Sequence, residues 1–155
     1  MITIFDARKE ELPWQLLLEA DPEKEVIDTY IYTSHIFLYK INHQIVGVLV
    51  LKEISTFWEI MNISVDTQYQ RKGIGGQLID AAIKSIQSHH KEAEVRIRTG
   101  ETSTGALHLY KMKGFKVIER VPDYFVVNYA QPIYENGKRL RDQLVLSRNL
   151  TTEVN

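Results

Sequence analysis

A chain of 155 residues, 44% hydrophobic and 25% charged, fits one compact domain and is short for a second full one, so a single domain over residues 1–155 is expected. A formal net charge of −1 excludes the global basic field that nucleic-acid binders use, so any anion site must be local. The absence of cysteine excludes disulfides, thiolate metal sites and a cysteine nucleophile.

The opening "MITIFDARKEELPW" lacks the continuous apolar segment of a signal peptide, and no run approaches the roughly 18 to 20 residues that span a bilayer. A cytoplasmic protein without a membrane partner is therefore expected. "ITIF" reads as a short strand, and "LPWQLLLEADPEKEVIDTYIY" as two helical pieces divided near Asp21-Pro22, because proline fits poorly inside a helix. "IFLYKI" and "QIVGVLVLKEI" read as strands joined by a hairpin at Asn42-His43, and "STFWEIMNISV" as a third. The next helix carries Ile74, Leu78, Ala82 and Ile86 on one face. A strand "AEVRIRT", a polar loop "GETSTG", a short helix "ALHLYKMK" stopped by Gly114 and a strand "FKVIER" follow. The last third holds "PDYFVVNY", a turn at Glu135-Asn136-Gly137 and the closing strand "LRDQLVLSRNL". This order predicts a mixed sheet flanked by helices.

Glycine and positive charge concentrate between the third strand and the first long helix, at Gln70, Arg71, Lys72, Gly73, Gly75 and Gly76. A glycine-bearing loop entering a helix presents unpaired backbone N–H groups, strengthened by the helix dipole, which suits a phosphate. Glycines there permit close approach or dihedrals that a side chain obstructs, and Arg71 and Lys72 add full charges. A Walker loop would need Lys-Ser/Thr after its last glycine, and a dinucleotide fingerprint starting at Gly73 would need glycine at Leu78, so neither fits.

What remains, Gln70-x-x-Gly73-x-Gly75, resembles the pyrophosphate loop Q/R-x-x-G-x-G/A of the GNAT superfamily of N-acetyltransferases. Ile63-Ser64-Val65 resembles the family strand that splays from its neighbour and offers backbone groups to the pantetheine arm. "ALHLYKMKGF", residues 106–115, is similar to the family pattern A-x-x-L-Y-x-x-x-G-F. The resemblance spans about residues 58–120. It implies an α/β (α+β) fold with a mixed, mostly antiparallel sheet flanked by helices and splayed at the acetyl-CoA strand. Acetyl-CoA is then the co-substrate, with no metal. The implied coenzyme contacts are Ile63, Ser64, Val65, Gln70, Arg71, Lys72, Gly73, Ile74, Gly75, Gly76, Ser103 and Tyr110. Ser103 departs from the family, many of whose members carry asparagine there; serine offers one hydroxyl in place of an amide.

Acetyl transfer to an amine needs a neutral nucleophile, a polarised thioester and a proton for the departing thiolate. By resemblance Tyr110 approaches the thioester sulfur; its alternative role is an amphipathic helix residue packing its ring. Strand alternation puts Glu59 on one face with Met61, Ile63 and Val65, where a carboxylate suits a base taking the amine proton directly or through water; its alternative is a salt-bridged carboxylate. Arg98 stands where protein N-terminal acetyltransferases of the family tend to carry glutamate, or else belongs to a surface ion pair. Of His35, His43, His89, His90 and His108, the pair His89-His90 reads as a helix C-terminal cap, and no third metal ligand accompanies it. Residues 122–134, rich in tyrosine, fall where similar enzymes wall the acceptor pocket.

The expected enzyme moves an acetyl group from acetyl-CoA to an amine by direct transfer in a ternary complex, with a small molecule as acceptor. A protein or peptide amine, or a non-catalytic acetyl-CoA sensor, are the alternatives. Oligomeric state is not readable from the sequence, although an exposed C-terminal hairpin could pair edges between two subunits in a homodimer.

Overall fold

Branched apolar residues at strand spacing draw the chain into one twisted sheet with helices on both faces, described here by a computed structural model over residues 1–89 and 92–151, the last by its backbone. The elements in chain order are β1 (Ile2–Ile4), α1 (Trp14–Ala20), α2 (Lys24–Asp28), β2 (His35–Ile41), β3 (Gln44–Ile54) and β4 (Phe57–Val65). They continue with α3 (Ile74–Gln87), β5 (Glu92–Gly100), α4 (Thr104–Met112), β6 (Lys116–Val121) and α5 (Tyr124–Val127). A two-stranded hairpin, β7 (Tyr134–Glu135) and β8 (Lys138–Arg139), precedes β9 (Gln143–Thr151). The main sheet runs β1-β2-β3-β4-β5-β9-β6, and of its pairings only β4–β5 is parallel.

Turn chemistry fixes the two hairpins. Asn42 and His43 both take positive φ, 51° and 67°, in the two-residue loop between β2 and β3. Asn136 and Gly137 do the same between β7 and β8, at 53° and 75°. Asp21 and Pro22 lie in the break between α1 and α2, as the sequence predicts. His89 caps α3 with its Nδ1 3.2 Å from the Ser85 carbonyl oxygen, while His90 lies outside the described residues.

Two cores sandwich the sheet. Under α3 and α4, Leu78, Ala82 and Ile86 pack on Leu49, Leu51, Ile97 and Leu146. Under α1 and α2, Leu17, Ile27 and Ile31 pack on Leu38, Val48 and Val50.

Two expectations fail here. β9 is not half of an exposed hairpin: it is paired on both sides, to β5 and to β6, so it offers no edge to a second subunit. The sheet's edges are β1 and β6. The strict alternation along β4 fails as well. Val50 pairs with Asn62 but its neighbour Leu51 pairs with Ile60, leaving Met61 unopposed in a β-bulge. The extra residue reverses the faces beyond it. Glu59, opposite Lys52, and Met61 lie on the α1/α2 side, whereas Ile63 and Val65 pack into the α3/α4 core.

Candidate active site

The glycine loop forms a bare helix N-terminus. Gly73 is the N-cap residue of α3 and, at φ 81°, sits in the left-handed region where a side chain is strained. The first backward helix bond is from the Gln77 N–H to the Gly73 oxygen at 3.0 Å, so the N–H groups of Ile74, Gly75 and Gly76 have no helical partner. No side chain among the described residues caps them. Arg71 and Lys72 stand exposed at the same mouth, and Lys72 Nζ lies 5.4 Å over the Tyr69 ring. Gln70 donates its amide N–H to the Val65 oxygen at 2.9 Å, which ties the loop to the end of β4.

The three glycines differ in purpose. A Cβ at Gly73 would meet little, with Gln77 Nε2 3.9 Å away, so the dihedral alone demands glycine there. At Gly75 and Gly76 a Cβ would lie 3.3 Å from Leu109 Cδ2 and 3.1 Å from Lys113 Cε, so these glycines let α3 and α4 approach. Gly73→Ala should cost about 1–2 kcal/mol, the usual left-handed penalty, without altering the packing. Chemical denaturation would measure this, and a loss below about 0.3 kcal/mol would show the loop relaxing.

Beside the loop, β4 and β5 part. Their register holds for three pairs, the last Ile60 with Ile97, and the bulge at Met61 follows at once. On the β5 side, the backbone of Ile63, Ser64 and Val65 therefore has no strand partner. Opposite the gap stands α4, whose N-cap residue Ser103 is buried and donates its hydroxyl to Glu135 Oε2 at 2.7 Å. Tyr110, on the same helix, is 6% exposed with its ring edge against Phe115. Burial pushes its phenol well above the ordinary range, and the charge of Glu135 adds to this, so the hydroxyl keeps its proton. His108 is exposed on another side of α4.

The gap opens into a cavity of about 610 Å³ lined by Tyr110, Ser103, Glu59, Arg98 and the aromatic segment after β6. Glu59 is buried there but is not surrounded by apolar groups alone. Arg98 Nε lies 3.3 Å from Glu59 Oε1, and its Nη1 donates to Gln143 Oε1 at 3.1 Å. Arg98 thus belongs to an ion pair inside the cavity, held by the buried amide of Gln143.

Several lining groups carry no local sequence signal. Asp21, 9% exposed, accepts from Tyr30 Oη at 3.2 Å and from Tyr129 Oη at 3.0 Å. Burial raises its pKa above the usual carboxylate range, against the opposing effect of those two hydroxyls. Asn62 donates from Nδ2 to the Leu17 oxygen at 3.0 Å and to Tyr30 Oη at 3.2 Å, while its buried Oδ1 has no partner among the described residues. Only the fold brings these positions together; the single clue is a lone Asp-Pro at a helix break.

The chain matches other proteins over most of its length. The sequence profile of the acetyltransferase (GNAT) family matches residues 2–115. An uncharacterized N-acetyltransferase of Bacillus subtilis, YvbK, is 33% identical over 150 residues, 96% of each chain. A GNAT family acetyltransferase from Elizabethkingia anophelis, solved with acetyl-CoA bound, superposes with a TM-score of 0.88 at 38% identity, over 96% of this chain and 98% of that one. An IAA acetyltransferase from Bacillus cereus gives a TM-score of 0.88 at 34% identity, over 97% and 100%. With this match, the bare helix N-terminus and the parted parallel strands, the chain belongs to the acetyltransferase (GNAT) family and is an N-acetyltransferase whose acyl donor is acetyl-CoA.

Proposed function

We propose that the enzyme, acting as one catalytic unit over residues 1–155, passes the acetyl group directly from acetyl-CoA to the amine of a small molecule while both are bound. The observation that carries the acceptor class is the closure of the cavity. Tyr129 Oη donates to Asp21 Oδ1 at 3.0 Å and the Ala130 N–H donates to Glu23 Oε1 at 2.9 Å, strapping the segment after β6 onto the α1–α2 turn. An extended polypeptide would have to break both bonds to lie across the sheet, whereas a compact amine fits beneath them.

In this reading the N–H groups of Ile74, Gly75 and Gly76, with Arg71 and Lys72, take the pyrophosphate. Gln70 and Gly73 shape that loop. The free backbone of Ile63, Ser64 and Val65 takes the pantetheine amides, and Ser103 contacts the arm after releasing Glu135. The amine nitrogen bonds to the thioester carbonyl carbon and the C–S bond breaks. The amine proton passes to Glu59, directly or through water, and the Tyr110 hydroxyl gives its proton to the thiolate. With no cysteine, no thioester-linked acyl-enzyme is available.

Release of coenzyme A thiol, followed while both substrates are varied, tests this. Intersecting double-reciprocal lines with small amines, and slower turnover of peptides with a free N-terminus, are expected. Parallel lines would overturn direct transfer, and faster peptide turnover would overturn the acceptor class.

A further inference from the structure

The acceptor side of the cavity has an unusual balance of hydrogen-bonding capacity. Among the described residues four carboxylates line the cavity, those of Glu19, Asp21 and Glu59 on the acceptor side and that of Glu135 beside Ser103, against one guanidinium, that of Arg98. Arg98 is already engaged by Glu59 and Gln143. Around Asp21 the donors are spent inward. Both hydrogens of the Asn62 amide go to Leu17 and Tyr30, and the hydroxyls of Tyr30 and Tyr129 both point at Asp21. The Glu23 backbone N–H also donates to the Asp21 carboxylate, so what remains is acceptor capacity at the last lone pair of Asp21 and at the unpartnered Oδ1 of Asn62. A buried acceptor left empty has lost its hydrogen bonds to water without replacement, so a ligand that donates is favoured here.

Next to Asp21 the rings of Tyr124, Phe125 and Tyr129 pack together, with centroids 5.2 to 6.4 Å apart. An aromatic wall beside a buried carboxylate favours a cation over a neutral donor. β4 completes the arrangement. Because of the bulge, Glu59 and Asn62 share the face toward α1 and α2, and about 10 Å of strand at most separates them. One amine nitrogen can therefore lie at Glu59 while a second group of the same molecule reaches the Asn62–Asp21 cluster.

We propose that the acceptor is an aliphatic amine carrying a second protonated nitrogen, and that Asp21 and Asn62, walled by Tyr124 and Tyr129, hold that second cation while the first nitrogen is acetylated. This rests on the small-molecule reading and narrows it to diamines and their longer or cyclic relatives. A carboxylate at the second position meets the excess negative charge and is rejected, and a methyl group leaves the acceptors empty.

The test uses 1,6-diaminohexane, n-hexylamine and 6-aminohexanoate, which share a chain and differ at one end, with 2-deoxystreptamine as a rigid cyclic diamine. Binding to the acetyl-CoA-free enzyme is measured by calorimetry, and kcat/KM by thiol release. One charged hydrogen-bonded contact should give the diamine an advantage of about 10- to 100-fold over hexylamine in both measurements. Asp21→Asn, which keeps the shape and one acceptor oxygen for the tyrosine hydroxyls, should reduce that ratio to within about threefold of unity, since the net charge is gone. A stronger advantage for the cyclic diamine supports the second cation and assigns it to a ring. Equal binding of diamine and hexylamine by the wild-type enzyme, preference for 6-aminohexanoate, no binding of any amine, or an Asp21→Asn ratio like wild type would each overturn the proposal. Diamine preference in calorimetry without turnover leaves the second-cation site standing and sinks the transfer reading. The wild-type comparison holds whether or not the variant folds.

Discussion

Tyr110→Phe is expected to lower turnover by about 10²- to 10⁴-fold, the usual worth of a positioned proton donor, while changing coenzyme affinity by less than about threefold. The variant keeps the ring that packs on Phe115 and removes one hydroxyl from a group 6% exposed. Because burial and Glu135 raise the phenol above its ordinary value, the hydroxyl keeps its proton, as the proposed proton-donor role requires. Its ionisation should therefore contribute no alkaline loss of activity below about pH 10, the unperturbed phenol value. Thiol release at saturating amine, beside calorimetry with acetyl-CoA, checks both parts. Turnover within about threefold of wild type, far under that donor range, would leave Tyr110 a packing residue.

Gly75→Glu is expected to damage the fold before it damages the proposed phosphate site. The first side-chain atom at this position would lie 3.3 Å from Leu109 Cδ2 and 4.0 Å from Val65 Cγ2, in the seam between α3, α4 and β4. Overpacking a seam of this kind costs about 1–3 kcal/mol, and burying part of a carboxylate adds about 1–3 kcal/mol. For a chain of this length that lowers the melting temperature by roughly 10 °C. Gly75→Ala, which adds only the methyl group, should fall between this variant and wild type. A Gly75→Glu protein that melts like wild type yet no longer binds acetyl-CoA would mean that the side chain escapes toward the phosphate mouth instead.

Local chemistry was legible in the sequence wherever one residue decides one dihedral or one helix end. Asn42-His43 foretells a positive-φ turn, Gly73 a left-handed N-cap, and Ile74, Leu78, Ala82 and Ile86 the buried face of α3. Period-two reasoning misplaced Glu59 relative to Ile63 because a bulge adds one residue without any marker in "EIMNI". Asn-Gly at 136–137 does foretell a hairpin, but strand order does not follow from it, and β9 passes into the sheet interior. Beyond the lone Asp-Pro at a helix break, the Asp21–Tyr30–Asn62–Tyr129 cluster was not legible, since its members are up to 108 positions apart and meet only when α1, β4 and the segment after β6 are assembled.

The place of β9 also constrains how the molecule comes into being. β6 is synthesised before β9 yet pairs with nothing else in the sheet, and β5 lacks its antiparallel neighbour until β9 arrives. A growing chain on the ribosome would therefore expose the backbone edges of β5 and β6 until Leu144, Val145 and Leu146 have emerged. Closure then joins residues far apart in the chain, an entropically slow step. The half that carries the glycine loop can gather early, but the wall that completes the cavity, with Gln143 at the root of β9 holding Arg98, is the last to be set.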